Sequence, residues 1–205
     1  MSAFLGPIHF WLYNKIQLQQ DIVVDMVELA KEEGTHDLGA RLDEKYGVSE
    51  RRPLDQVIDE MNIHGWLQTQ VSQVEYKVAE GVKELLAKNP AAMDKLKSLF
   101  FKRGEAVGMK LAQTEGLNLG VIYKGISDSL LDGMPCDHAI RVLSEANDEI
   151  VWTRALCVHE RYWNEVGANI ADYYTLREAW LEGLAKAVGI KFEKVDDKTY
   201  AIKLA

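Results

Sequence analysis

The sequence predicts an α+β fold, an N-terminal helical layer packed on a small C-terminal antiparallel sheet of two hairpins. Three observations predict it. From Pro7 to about Leu131, apolar residues recur at three-, four- and seven-residue spacings, the period of amphipathic helices. After Gly133 the pattern changes to β-rich arms around two turn signals, Asn147-Asp148 and Asp196-Asp197-Lys198. Helices come first and strands later, which points to α+β rather than to a parallel α/β sheet. The expected organisation is a single domain over 1–205, with a helical part at 1–133 and a hairpin–helix–hairpin part at 134–205.

Each element has its own signals. Pro7 suits the first turn of a helix, and Ile8, Leu12, Ile16, Val23, Val27 and Ala30 form its buried stripe up to a stop at Gly34. Thr35 or Asp37 can cap a short second helix through Tyr46, closed by Gly47. Pro53 opens the next periodic run, through Ile63, Leu67, Val71, Val74, Val78, Val82 and Leu85, with Gly65 expected to bend it. Asn89-Pro90 is a cap followed by a first-turn proline, starting a helix that reaches about Gln113. Within it Gly104 and Gly108, one turn apart, would let another helix or a ligand approach the backbone closely. One more helix is expected over 119–131, broken by Gly133-Met134-Pro135. A hairpin, a short helix after Trp163, an amphipathic helix over 172–188 ended by Gly189, and a second hairpin over 190–204 complete the chain.

The composition narrows the function classes. A 47% hydrophobic content with 27% charged residues describes an ordinary globular protein with a full core. A net charge of -8 argues against a nucleic-acid binder, which would show a basic face, and against an anionic membrane surface. Two cysteines in 205 residues fit a reducing compartment, where thiols are free to act as ligands or nucleophiles. The N-terminal stretch lacks the features of a signal peptide, and no apolar run approaches the roughly 20 residues that span a bilayer. A cytoplasmic, soluble protein with a small-molecule partner is therefore expected, open to pairing as a homodimer.

Chemistry concentrates in the first hairpin. Two copies of Cys-x-His, Cys136-Asp137-His138 and Cys157-Val158-His159, flank its arms. If Asn147-Asp148 forms a two-residue loop, Ala146 faces Glu149, Cys136 lies opposite His159, and His138 lies opposite Cys157. All four side chains would then share one face of the sheet. A three-residue loop would send one pair to the other face. The preferred register also sets Arg141 opposite Arg154, a like-charge pair that costs stability. Cys136 and Cys157 would be diagonal neighbours about 7–8 Å apart, beyond the usual reach of a disulfide.

Two thiolates and two imidazoles form a tetrahedral zinc set, and soft thiolates also suit iron or Cu(I). With fewer than four protein ligands, an open position could activate water for hydrolysis. Glu160 and Asp137 are then available as general base or as partners of the ligands. A metal-free alternative makes Cys157 the nucleophile with His138 as its base. The bland reading is that the cysteines are small buried hydrophobes and the histidines close the open end of the hairpin.

An internal echo adds a second pair of histidines. Ile8-His9-Phe10-Trp11-Leu12 and Ile63-His64-Gly65-Trp66-Leu67 share Ile-His-x-Trp-Leu at an offset that recurs at Val23/Val78 and Val27/Val82. Two helices of equal phase would pack with His9 and His64 flanking a common space, where they could help bind a cofactor or metal, heme included. The bland reading is that each histidine is hydrogen-bonded at its own helix end.

The C-terminal third resembles a known family. Thr153-Arg154-Ala155-Leu156-Cys157, Trp163-Asn164-Glu165-Val166-Gly167, the run from Tyr173 to Gly183, Gly189-Ile190-Lys191-Phe192-Glu193, and the run from Asp197 to Ile202 look like bacterial proteins related to L-2-amino-thiazoline-4-carboxylic acid hydrolase. The resemblance implies a helical N-terminal half, a C-terminal antiparallel sheet, and hydrolytic opening of a small sulfur-containing ring. It carries over onto Cys157 alone. Tyr173-Tyr174-Thr175 stand where the family has a second cysteine, and no cysteine stands in the last strand. The expected function is a small-molecule hydrolase with Cys157, His138 and Glu160 as catalytic residues. The alternative is a non-catalytic sensor domain that binds a metal, heme or another small ligand.

Overall fold

The computed structural model of the chain describes residues 5–205. It opens with helices α1 (Pro7–Glu32), α2 (Leu38–Tyr46), α3 (Ile63–Lys88), α4 (Ala92–Leu111) and α5 (Leu119–Ser129). Strands β1 (Ile140–Glu145) and β2 (Glu149–Arg154), helices α6 (Glu160–Val166) and α7 (Ile170–Val188), and strands β3 (Ile190–Lys194) and β4 (Thr199–Leu204) follow. The fold is α+β, as the change of period predicts. The chain gathers into two compact units, Met1–Met93 with Arg161–Asn169, and Asp94–Glu160 with Ile170–Ala205. Among the described residues, no helix is long and apolar enough to cross a membrane.

In the first unit α1 and α3 pack along each other, with α2 against both. Ile16, Met26 and Ala30 from α1 and Val74, Ala79 and Val82 from α3 are fully buried. Gly34 and Gly47 end α1 and α2 at positive φ, +78° and +89°, where a side chain would be strained. The run expected to open at Pro53 does not start there. Residues Leu54–Gln56 make one 3₁₀ turn, and α3 begins at Ile63, where the Asn62 side chain accepts a hydrogen bond from the Gly65 N–H at 3.2 Å. A Cβ on Gly65 would lie 2.3 Å from the Asn62 side chain, so this glycine serves the cap rather than a bend. Lys77 is 1% exposed, and its Nζ donates to Asp43 Oδ1 at 2.5 Å and to Ser49 Oγ at 2.9 Å. That pairing is what permits a buried lysine midway along α3.

In the second unit the four strands form one antiparallel sheet in the order β1-β2-β4-β3. Helix α5 contacts β2 and β4, and α7 contacts β3. Ile150 and Trp152 of β2 and Tyr200, Ala201 and Ile202 of β4 are buried. The close approach expected at Gly104 and Gly108 is made by α7. A Cβ on Gly104 would stand 1.8 Å from the Trp180 carbonyl oxygen, and one on Gly183 2.0 Å from that of Phe101. Only backbone without side chain fits on either side of that crossing.

The first hairpin has the expected two-residue loop, with the Ala146 N–H donating to the Glu149 carbonyl at 2.8 Å. Glu145 faces Ile150 and Ser144 faces Val151, as that loop requires. A β-bulge at Leu143 then shifts the register by one, so Val142 faces Trp152 and Arg141 faces Thr153. This corrects the expected pairing of Arg141 with Arg154, which instead faces Ile140 and leaves no like charges opposed. The ladder stops at Ala139, whose carbonyl accepts from both Ala155 and Leu156, at 2.8 and 3.2 Å.

Candidate functional site

The end of that ladder decides the fate of the expected Cys-His cluster. Pro135–Asp137 wind into a 3₁₀ turn, and His138 follows at φ +49°. Two local features compete with a strand here. Pro135 has no N–H to give to a ladder, and the Asp137 carboxylate accepts from the Met134 N–H at 2.8 Å, which closes a turn. Cys136 and His138 are therefore exposed, outside the sheet, while Cys157 is half-buried and His159 buried. The expectation that Cys136, His138, Cys157 and His159 converge is corrected by this geometry. Among the described residues, no three His, Cys, Asp or Glu side chains are grouped to hold a metal ion. The strand ladder that was to set His138 opposite Cys157 as base and nucleophile ends at Ile140 and Arg154, short of either residue.

His159 has its own partners. Its Nε2 lies 3.4 Å from Asp132 Oδ1, and its ring stacks obliquely on Tyr173 with centroids 4.1 Å apart. Arg177 Nε donates to Asp132 Oδ1 at 3.2 Å and Nη2 to Oδ2 at 2.5 Å. Burial alone would raise the Asp132 carboxyl. The Arg177 and His159 side chains outweigh burial and hold it well below the usual carboxylate range. Burial likewise opposes the charge of Arg177, and Asp132 more than restores it. A fork-on-carboxylate pair of this kind is ionised and rigid, so His159 is anchored against Asp132 and Tyr173.

Cys157 faces a pocket of about 570 Å³ that Arg154, Glu160, Tyr174, Lys194 and Lys198 also line. The strand end of β2, the start of α6, the second turn of α7 and the β3–β4 turn supply these residues. The Tyr174 hydroxyl donates to the Cys157 sulfur at 3.0 Å, and the Arg154 guanidinium stacks over the Tyr174 ring at 3.5 Å. Arg154 also donates through Nη2 to the Asp197 carbonyl at 3.3 Å, while its Nη1 is buried with no hydrogen-bond partner. Burial pushes the Cys157 thiol up. The backbone N–H groups of His159 and Glu160 and the charge of Arg154 pull against it without cancelling it. The resting sulfur is thus a protonated thiol in the company of donors that favour its anion. Of the expected catalytic residues, Cys157 and Glu160 share this pocket and His138 does not line it.

The second histidine pair does meet. His9 Nε2 and His64 Nε2 are 3.2 Å apart, and their ring centroids 5.3 Å. The Gly6 N–H donates to His9 Nδ1 at 2.9 Å, so that nitrogen carries a lone pair. A neutral His9 then bears its proton on Nε2 and gives it to His64 Nε2, whose own proton must be on Nδ1. The pair ties the first turns of α1 and α3 together, in keeping with the Ile-His-x-Trp-Leu echo. A metal on His9 Nε2 would require the other nitrogen to carry the proton, which the Gly6 contact opposes.

No protein-family model, curated protein or solved structure matches this chain. Sequence reasoning missed Tyr174, Arg154, Lys194 and Lys198 as neighbours of Cys157, and Asp132 and Arg177 as partners of His159.

Proposed function

We propose that the protein is a small-molecule hydrolase acting on an acid-bearing substrate in the Cys157 pocket. One observation carries this reading: a thiol, a phenol, two carboxylates (Glu160 and Asp197) and three cationic side chains open on the same pocket of about 570 Å³. In it Cys157 attacks the electrophilic carbon as Glu160 takes the thiol proton, and the ring bond from that carbon to nitrogen breaks with the proton passing to the nitrogen. Water then displaces the Cys157 sulfur, and Arg154 and Lys198 hold the acid group. The lining sets three cations against two carboxylates, a small positive balance in a chain of net charge -8, and Arg154 and Lys198 offer an acid group its partners. The resemblance to L-2-amino-thiazoline-4-carboxylic acid hydrolase names a fitting compound, a small ring whose carbon between sulfur and nitrogen is open to a thiol. The test is ring opening of that compound followed by chromatography. Wild type turns it over, Cys157→Ala abolishes turnover, and Glu160→Gln lowers kcat roughly 100-fold.

A second reading is a binding domain that holds an acid without acting on it. The raised Cys157 thiol favours it, as does the lack of a histidine among the residues lining the pocket. Calorimetric binding of the same compound with no product, kept in Cys157→Ala and lost in Arg154→Met, would establish it.

A further inference from the structure

A half-buried cysteine with no imidazole among the residues lining its pocket needs another group to prepare it, and three groups act on the Cys157 sulfur. Two are backbone N–H groups, those of His159 and Glu160. They are set by the chain path into α6 and cannot be varied by side chain. The third is the Tyr174 hydroxyl, 3.0 Å from the sulfur with the phenol as donor. The phenol is held in turn: the Arg154 guanidinium lies 3.5 Å from its ring centre, and the Tyr173 ring meets it edge-on with centroids 5.1 Å apart. Its direction is therefore fixed from both sides rather than free to rotate away.

We infer that Tyr174 is a positioning residue for Cys157: its hydroxyl donates to the sulfur, stabilises the anion as the proton leaves, and keeps the lone pair aimed into the pocket. The three donors offset part of the burial that raises the thiol, and they favour the anion once the proton leaves. Arg154 adds positive charge over the phenol ring, which makes the O–H a stronger donor. The inference rests on the reading of Cys157 as the attacking sulfur, but it concerns the sulfur's reactivity and can be checked without any substrate.

The measurement is the rate of Cys157 alkylation by iodoacetamide at pH 7 in a Cys136→Ser background, so that one thiol reports. The sulfur displaces iodide and forms the S–C bond, and the reagent is neutral, so the cations of the pocket do not steer it. Three proteins are compared: the Cys136→Ser parent, Tyr174→Phe, and a version with 3-fluorotyrosine at position 174. Tyr174→Phe should alkylate about three- to tenfold more slowly, because one hydrogen bond to the anion is lost while intrinsic nucleophilicity partly compensates. Fluorotyrosine keeps the ring's shape and donates more strongly, so its rate should exceed the parent's. A purely structural role would not follow phenol acidity. A phenylalanine variant that reacts as fast as the parent or faster overturns the inference, and so does a fluorotyrosine protein whose rate does not rise. If the rates follow the donor but no ring opening is seen, the hydrolase reading has failed and the role of Tyr174 has not.

Discussion

Two motifs in this chain look alike on paper and fare differently in space. His9 and His64 are 55 residues apart and meet at 3.2 Å. Cys136-x-His138 and Cys157-x-His159 flank one hairpin and do not gather. The helices carry their phase faithfully. α1 and α3 are each 26 residues long, and every turn repeats the angle of the last, so matched positions stay matched. A hairpin carries phase only while its ladder lasts. One extra residue at Leu143 moves the register, and the ladder has ended at Ala139 before the motif begins. Extrapolating a register past the end of a strand is much less secure than extrapolating along a helix.

The largest effect expected from this comparison concerns what anchors His159. Asp132→Ala should cost about 3–5 kcal/mol in denaturant unfolding, because Arg177 is left charged and buried without its partner. Asp132 also predicts a pH dependence. Its carboxyl is depressed in the folded chain, so the unfolded chain binds the extra proton and stability rises with pH. The contribution is complete above the ordinary carboxylate range and fades as pH falls below about 5, and Asp132→Asn with Arg177→Met should remove that part of the acid slope.

A second, smaller effect separates the two cysteines. Cys136 is exposed, and Cys157 is half-buried with its thiol raised by burial. Iodoacetamide should label Cys136 first, and peptide mass spectrometry after brief exposure reads the order. Equal labelling would mean that the two sulfurs share one environment, as a gathered cluster would require.

The smallest effect lies in the histidine pair. His9→Leu should cost about 1 kcal/mol, the worth of the Gly6 contact and of the link to His64. Nitrogen-15 shifts should show the proton of His9 on Nε2 and that of His64 on Nδ1. Identical tautomers would break the hydrogen bond and with it the account of the echo.

Much of the fold could be read because its punctuation is local. Pro7, Gly34, Gly47, Asn147-Asp148 and Gly189 act on their immediate neighbours, and each does so where expected. Asn89-Pro90, read as the cap and first turn of α4, instead closes α3 and turns before α4 starts at Ala92. Pro53 misled, because the cap at Asn62 starts α3 and the apolar residues before it belong to a 3₁₀ turn. The candidate site was legible only in part. Cys157 and Glu160 are three residues apart and share the pocket, whereas Tyr174 comes 17 residues later on another helix. Asp132 and Arg177 are 45 residues apart, and nothing in either neighbourhood announces the other. Contacts of that kind follow from packing, which a single sequence does not spell out.

The Leu143 bulge has a bearing beyond the register it shifts. β1 is an edge strand, and Val142 and Leu143 on it are 44% and 60% exposed. A straight strand with such side chains would offer its free N–H and C=O groups to any passing chain and invite sheet-to-sheet growth. The extra residue spoils the spacing of those groups midway, so an incoming strand can pair over two or three residues and no further. The irregularity that shifts the register therefore also blunts an edge that carries two exposed apolar side chains.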